Sequence, residues 1–236
     1  MSMSKSINPG AFNRGEADRW TSKAGLASLF PLGAAIGDSI TVPNYNGSDK
    51  VNPSTPANKL KSAKGYLTWA LALCGQRVEV PPENYIWGFP SRETSEILAA
   101  LPAFLAQMPR KPGFMVIECG TNNIGHDTAA TGVGSFDSIT ADWLAIATYL
   151  TQRGIRVIFV PILPRGPGFS SLFGSPQFDA MDRANRWLHS LAARSNGVIA
   201  VASECLLPMT DPSKVGAQPK TAMMGDGTHP ETLGGY

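Results

Sequence analysis

Five short apolar runs, separated by stretches of helical spacing, limit what this 236-residue chain can fold into. The runs are residues 32–36, 77–80, 114–118, 156–162 and 198–201. Strands buried on both faces read as near-continuous apolar runs of this kind. Between them, apolar residues recur at helical spacing. In 60–73 they are Leu60, Ala63, Leu67, Ala70 and Leu71, with Gly75 as a C-cap. In 91–108 they are Ile97, Leu98, Leu101 and Leu105, with Pro102 placed to kink or split the helix. In 136–152 they are Ile139, Trp143, Ile146, Ala147 and Leu150, ended by Gly154. In 178–194 they are Met181, Trp187, Leu188 and Leu191. Such alternation predicts βαβ units: a parallel sheet with helices on both faces, hence an α/β fold. Residues 41–57, 81–90, 163–176 and 206–225 have the Pro, Gly, Ser and Asn content of loops. Residues 17–30 offer one more short helix, closed by Pro31, after a polar lead-in. With no internal repeat or linker beyond it, we expect a partly disordered lead-in over 1–30 and one domain over 31–236.

Composition excludes several classes of function. Hydrophobic residues make up 43% of the chain, enough for a substantial core. A net charge of +2 with scattered Lys and Arg lacks the basic footprint of a nucleic-acid binder. No apolar run reaches the roughly 18 residues of a membrane span. The polar N-terminus lacks a signal-peptide core, so we expect a cytoplasmic protein, or one released without such a peptide. Cys74, Cys119 and Cys205 are odd in number and widely spaced, which reads as buried thiols rather than a disulfide framework. At the other end, 231–236 could begin a helix, but no apolar face follows. Either the chain is a fragment of something longer, or the domain lacks its closing helix.

Polar clusters stand at or after strand ends: Asp38-Ser39, Asn122-Asn123, and Asp226 with His229. In an open parallel sheet the carboxyl ends of the strands share one edge, where ligands bind. The chemistry of these groups is that of acyl transfer. A serine hydroxyl needs a base within hydrogen-bond reach, and an imidazole such as His229 titrates near neutrality. Asp226 lies three residues before it. Gly227 permits a tight turn and Pro230 biases His229 to extended backbone, so the carboxylate can reach Nδ1 and hold the tautomer. The oxyanion of an attacked ester needs preorganised donors. The Ser39 N–H, the Asn122 side-chain amide and an N–H from residues 88–92 are candidates.

Gly37-Asp38-Ser39, Gly120-Thr121-Asn122 and Asp226-Gly227-Thr228-His229, in that order, resemble the motifs of the SGNH (GDSL) hydrolases. The resemblance spans 32–236. It implies a three-layer α/β/α fold with a flavodoxin-like parallel sheet. It also implies hydrolysis of esters or thioesters without a cofactor or metal. Ser39 is then the nucleophile, His229 the base, Asp226 its orienter and Asn122 an oxyanion donor. The family's second block, of the pattern G-x-x-G-R-T, here reads Gly88-Phe89-Pro90-Ser91-Arg92-Glu93-Thr94. Ser91 takes the donor position and Gly88 matches the earlier glycine, so either can supply the backbone donor. Asn123 stands where the family more often has Asp. Asp38, Trp87, Phe89 and Asn123 border these groups and are expected to line the substrate site.

Each motif alone is weak, since Gly-Asp-Ser often makes an ordinary turn and Asn an ordinary loop; their joint order carries the reading. The expected activity is that of a serine esterase on a small ester or an acylated carbohydrate, with O-acetyl groups as one plausible target. The alternatives are a non-catalytic glycan-binding module of a larger surface or phage structural protein, or an acyltransferase on the same fold.

Overall fold

The computed structural model describes residues 32–41, 85–126, 133–163 and 175–202. Five strands form one sheet: β1 (Gly33–Gly37), β2 (Ile86–Gly88), β3 (Phe114–Glu118), β4 (Arg156–Val160) and β5 (Ile199–Val201). Every pairing is parallel and the order is β2-β1-β3-β4-β5. Among the described residues, four α-helices accompany it: α1 (Thr94–Ala106), α2 (Thr121–His126), α3 (Val133–Thr151) and α4 (Pro176–Ala193). A single 3-10 turn, Ser39–Thr41, follows β1. None of the described helices is long and apolar enough to cross a membrane.

The predicted α/β class and parallel sheet are what the chain adopts. Both β1 and β3 are buried at every position, as central strands covered on two faces must be. Helix α1 packs on α3 and α3 on α4, so these three form one layer, resting on β1, β4 and β5 in turn. Trp143 of α3 is fully buried, with its ring 5.8 Å from Phe159 of β4. Cys119 is a buried free thiol, as expected; Cys74 and Cys205 lie outside the described residues.

Three local expectations need correction or refinement. The stretch 81–90, read as loop, contains β2. Its three strand residues are hidden in the sequence by flanking prolines, which an edge strand tolerates at its ends. The strand expected at 77–80, and the helices at 17–30 and 60–73, lie outside the described residues. Second, Thr121–His126 forms a helical turn, although its Asn and Gly content reads as loop. Ile124, 1% exposed, anchors it to the core. Third, Pro102 sits inside α1 without ending it. Ile97, Leu101 and Phe104 are all fully buried along that helix, and such packing outweighs the lost backbone bond. The ends of the helices follow ordinary capping chemistry. The Glu93 N–H donates to the Glu96 carboxylate at 3.0 Å to open α1. Ser175 Oγ accepts from Phe178 N at 3.1 Å, with Pro176 in the first turn, to open α4.

Topology then locates a crevice. The chain steps from β1 outward to β2, then back past β1 to β3, so the strand order reverses beside β1. In this flavodoxin-like order the carboxyl ends of β1 and β3 flank the switch point where ligands bind. The register aligns Gly88, Gly37 and Glu118 across the last row of the three strands. The loops after those residues therefore leave the sheet side by side. Gly37 makes the row possible. A Cβ there would sit 2.0 Å from the Glu118 carbonyl oxygen and 2.2 Å from Thr41 Oγ1. The first obstacle is backbone and cannot move aside without parting β1 from β3. Gly37→Ala should therefore destabilise the fold by about 3 kcal/mol or more, as severe overpacking does, which denaturant unfolding would measure.

Candidate active site

Ser39 is the first residue of the 3-10 turn and is 4% exposed. The turn is closely braced. Asp38 N donates to the Glu118 carbonyl at 3.0 Å, and Thr41 N donates to the Asp38 carbonyl at 3.1 Å. Ile40 N donates to Asp38 Oδ1 at 2.9 Å, an Asx-type bond that fixes the corner. Asp38 itself is 0% exposed. Asp38, expected to line the substrate site, is thus found buried in the turn, with Oδ1 engaged by Ile40 N and the Glu118 carboxyl as its neighbour. Burial pushes the Glu118 carboxyl well above the usual carboxylate range, and the neighbouring Asp38 charge pushes it further the same way. Cys119 beside it is also raised, chiefly by burial.

The second wall comes from the loop after β2. Phe89 N donates to the Gly37 carbonyl at 2.8 Å, continuing the ladder by one residue. Alternate N–H groups of a strand face opposite sides, so the Gly88 N–H faces away from β1. Residues 89–92 then form a β-turn closed by Arg92 N to the Phe89 carbonyl at 3.2 Å. Pro90 occupies its second position and Ser91 its third, with φ 62°. That is the pattern of a type II turn, whose third position favours glycine. Ser91 thus keeps a glycine-like backbone without being glycine. Trp87 and Phe89 are half-buried, edge to face at 5.6 Å. Trp87 also packs 5.0 Å from Phe104 of α1, so it belongs partly to the core.

The third wall follows β3. Gly120 has φ 122°, a conformation that side chains rarely adopt, and a Cβ there would crowd Ile162 and Trp143. This bend leads into α2, which carries Asn122 and Asn123. Asn122 Nδ2 donates to the Arg92 carbonyl at 2.9 Å. The bond uses one of its two hydrogens and orients the amide beside the Ser91 turn. Asn122 is 9% exposed.

Asn123 has both amide atoms engaged with Thr94: Thr94 N donates to Oδ1 at 3.0 Å, and Nδ2 donates to Thr94 Oγ1 at 3.1 Å. A carboxylate in its place could accept but not donate. Any substrate reaching Asn123 would have to displace those bonds. Thr94 Oγ1 in turn donates to Asp142 Oδ2 on α3 at 2.6 Å. Together these bonds tie the β3–α2 corner, the start of α1 and the middle of α3.

Asp142 gave no signal in the sequence, because it sits 48 residues from Thr94 and outside any motif. Glu118 and Thr41 were also missed. Glu118 did leave a trace, as a carboxyl residue closing an otherwise apolar run. Ser39, the Gly88–Ser91 loop and Asn122 leave adjacent strands at one edge of the sheet. Asp226 and His229 lie outside the described residues. Ser91→Gly should leave stability unchanged or raise it by up to about 1 kcal/mol, since relief of the left-handed strain is offset by backbone entropy. Ser91→Val should lower it by about 1–2 kcal/mol. Thermal unfolding of the two variants measures both effects.

Comparison with the curated proteins found no match. Solved structures give the same fold at low identity. A GDSL-like lipase from Bacteroides thetaiotaomicron is 16% identical, with a TM-score of 0.56 over 94% of this chain and 90% of that one. A member of the lipolytic G-D-S-L family from Veillonella parvula is 17% identical, with a TM-score of 0.56 over 85% and 89%. Axe2, an acetylxylan esterase from Geobacillus stearothermophilus, is 18% identical, with a TM-score of 0.57 over 85% and 87%. The sequence model of the GDSL-like lipase/acylhydrolase family matches residues 35–235, which takes in the Gly37-Asp38-Ser39 turn, the β2 loop, the β3–α2 corner and the Asp226–His229 segment. The chain therefore belongs to the GDSL-like lipase/acylhydrolase family, and its sheet is the α/β sheet of the SGNH hydrolases.

Proposed function

We propose that this protein is a serine esterase that cleaves carboxylic esters through an acyl-enzyme on Ser39. The observation that carries the reading is the braced turn. It holds the Ser39 residue at the switch-point end of β1, beside the loops that hold Ser91 and Asn122. In this mechanism His229, oriented by Asp226, takes the Ser39 proton as Oγ attacks the ester carbonyl. The oxyanion is held by the Ser39 N–H, the Ser91 N–H and the second hydrogen of Asn122 Nδ2. Ser91 is preferred to Gly88 because the Gly88 N–H faces away from β1. Collapse of the tetrahedral intermediate expels the alcohol, which receives the proton from His229. Water, activated by the same imidazole, then releases the acid.

For the substrate, we favour a small acyl group, such as acetyl on a carbohydrate. An acetylxylan esterase is among the proteins that share this fold. Family membership by itself reaches only to ester hydrolysis in general.

Treatment with a fluorophosphonate followed by mass spectrometry should place the label on Ser39. Ser39→Ala should abolish both labelling and p-nitrophenyl acetate turnover. Equal turnover by the parent and Ser39→Ala would remove Ser39 from the chemistry. Asn122→Ala should cost about 10²–10³ in kcat, the usual effect of losing one oxyanion donor. His229→Ala should cost about 10³ or more. Glycan binding without labelling or turnover would instead indicate a binding module. Ester formation with an added alcohol would indicate an acyltransferase.

A further inference from the structure

Beneath the turn that carries Ser39 lies a group that the acyl-transfer scheme does not use. Glu118 closes β3, pairs with Gly37 in register and is 1% exposed. Its backbone carbonyl accepts from Asp38 N at 3.0 Å. Its side chain meets the same turn again: Thr41 Oγ1 donates to Glu118 Oε2 at 3.3 Å, with the Asp38 carboxyl as its charged neighbour. Asp38 Oδ1 meanwhile accepts from Ile40 N. One residue on β3 thus holds Asp38 through its backbone carbonyl and Thr41 through its side chain, on either side of Ser39. Asp38 is 0% and Thr41 3% exposed, so water does not replace these bonds.

We infer that Glu118 is a positioning residue for Ser39, bridging Asp38 and Thr41 so that the turn presents its hydroxyl in one orientation. The inference rests on the proposed role of Ser39 as nucleophile.

Burial disfavours a charged Glu118 carboxyl, and the neighbouring Asp38 carboxyl disfavours it further, so Glu118 is raised well above the usual carboxylate range. Among the described residues, another titratable group next to the pair is the Cys119 thiol, raised chiefly by burial; Asp142 acts on Cys119 from α3.

The sign of the pH effect follows. Glu118 keeps its proton in the folded state above the pH at which it ionises in the unfolded chain. Its contribution to stability is therefore fully present below the unfolded carboxylate range, about pH 4.3. It is lost as the pH rises from there through the raised folded value.

The test compares Glu118→Gln and Glu118→Ala with the parent. Gln keeps an acceptor for Thr41, and it cannot ionise. Glu118→Gln should keep kcat for p-nitrophenyl acetate within about threefold. Measured between about pH 5 and pH 9, the parent's melting temperature should fall progressively relative to that of Glu118→Gln. Glu118→Ala should slow fluorophosphonate labelling of Ser39 and lower kcat by about 10–100-fold, the scale on which a misplaced group costs rate, with KM little changed. If Glu118→Ala does not fold, Thr41→Ala removes one arm of the bridge and should slow labelling by a smaller factor. A folded Glu118→Ala protein that labels at the parent rate, or a Glu118→Gln protein whose melting temperature tracks the parent's at every pH, would overturn the inference. The melting comparison needs no catalysis. Failure of Ser39 as nucleophile, seen as undiminished turnover in Ser39→Ala, is therefore read separately from failure of the bridge.

Discussion

The contact on which the site depends is the approach of β1 to β3 at their carboxyl ends. Gly37 and Glu118 stand opposite each other, and no side chain fits between Gly37 and the Glu118 carbonyl. That closeness lets the Asp38 N–H reach the same carbonyl and carry the ladder one residue beyond the strand. It also lets Thr41 fold back over Gly37, which converts the end of a strand into a closed 3-10 turn. A wider gap would leave Asp38, Ser39 and Thr41 as an ordinary solvated loop. The buried carboxyl pair would then be neither needed nor tolerable.

Around this contact the loops after β2 and β3 are joined by polar bonds as well as by apolar packing. Asn122 is held by a backbone carbonyl of the β2 loop, and Asn123 by both polar groups of Thr94. Thr94 is in turn held by Asp142 on a helix of the outer layer. Buried polar networks of this kind are costly when half-satisfied and rigid when complete. Rigidity suits a site whose donors must already point where negative charge develops. Ser91 fits the same picture. Its left-handed backbone is less favourable than an extended one, and it persists because the flanking residues Phe89, Pro90 and Arg92 close the turn around it.

Much of the scaffold was legible in the residues. The apolar runs at 114–118 and 156–162 contain the strands Phe114–Glu118 and Arg156–Val160, and the helical faces of α1, α3 and α4 match their elements, because burial on two faces or on one stripe leaves a periodic mark. The reading failed where that mark is short or absent. Strand β2 has three residues between prolines, and α2 has six residues rich in Asn and Gly. Both are held in place by neighbours distant in sequence: β2 by the Gly37 row, and α2 by Thr94, Ser135 and the buried Ile124. Asp38, expected to line the substrate site, lies buried in the turn, which its motif did not reveal. A carboxylate beside a presumed nucleophile reads as facing substrate, and nothing in the string Gly-Asp-Ser says that it turns inward.

By itself the sequence determined the class of fold, the parallel sheet and the order of the polar clusters along it, because periodicity and turn chemistry are local properties. It also determined which residue types were on hand for acyl transfer. Only the tertiary structure decided which of the described side chains are committed to hydrogen bonds that hold the strand-end turns together. It placed Asp38 and Asn123 among the braces, turned the Gly88 N–H away from β1, and joined Glu118 and Asp142 to a site they do not adjoin in sequence. The physical reason is that such roles depend on register between strands and on hydrogen bonds across tens of residues, and neither leaves a periodic trace in the chain.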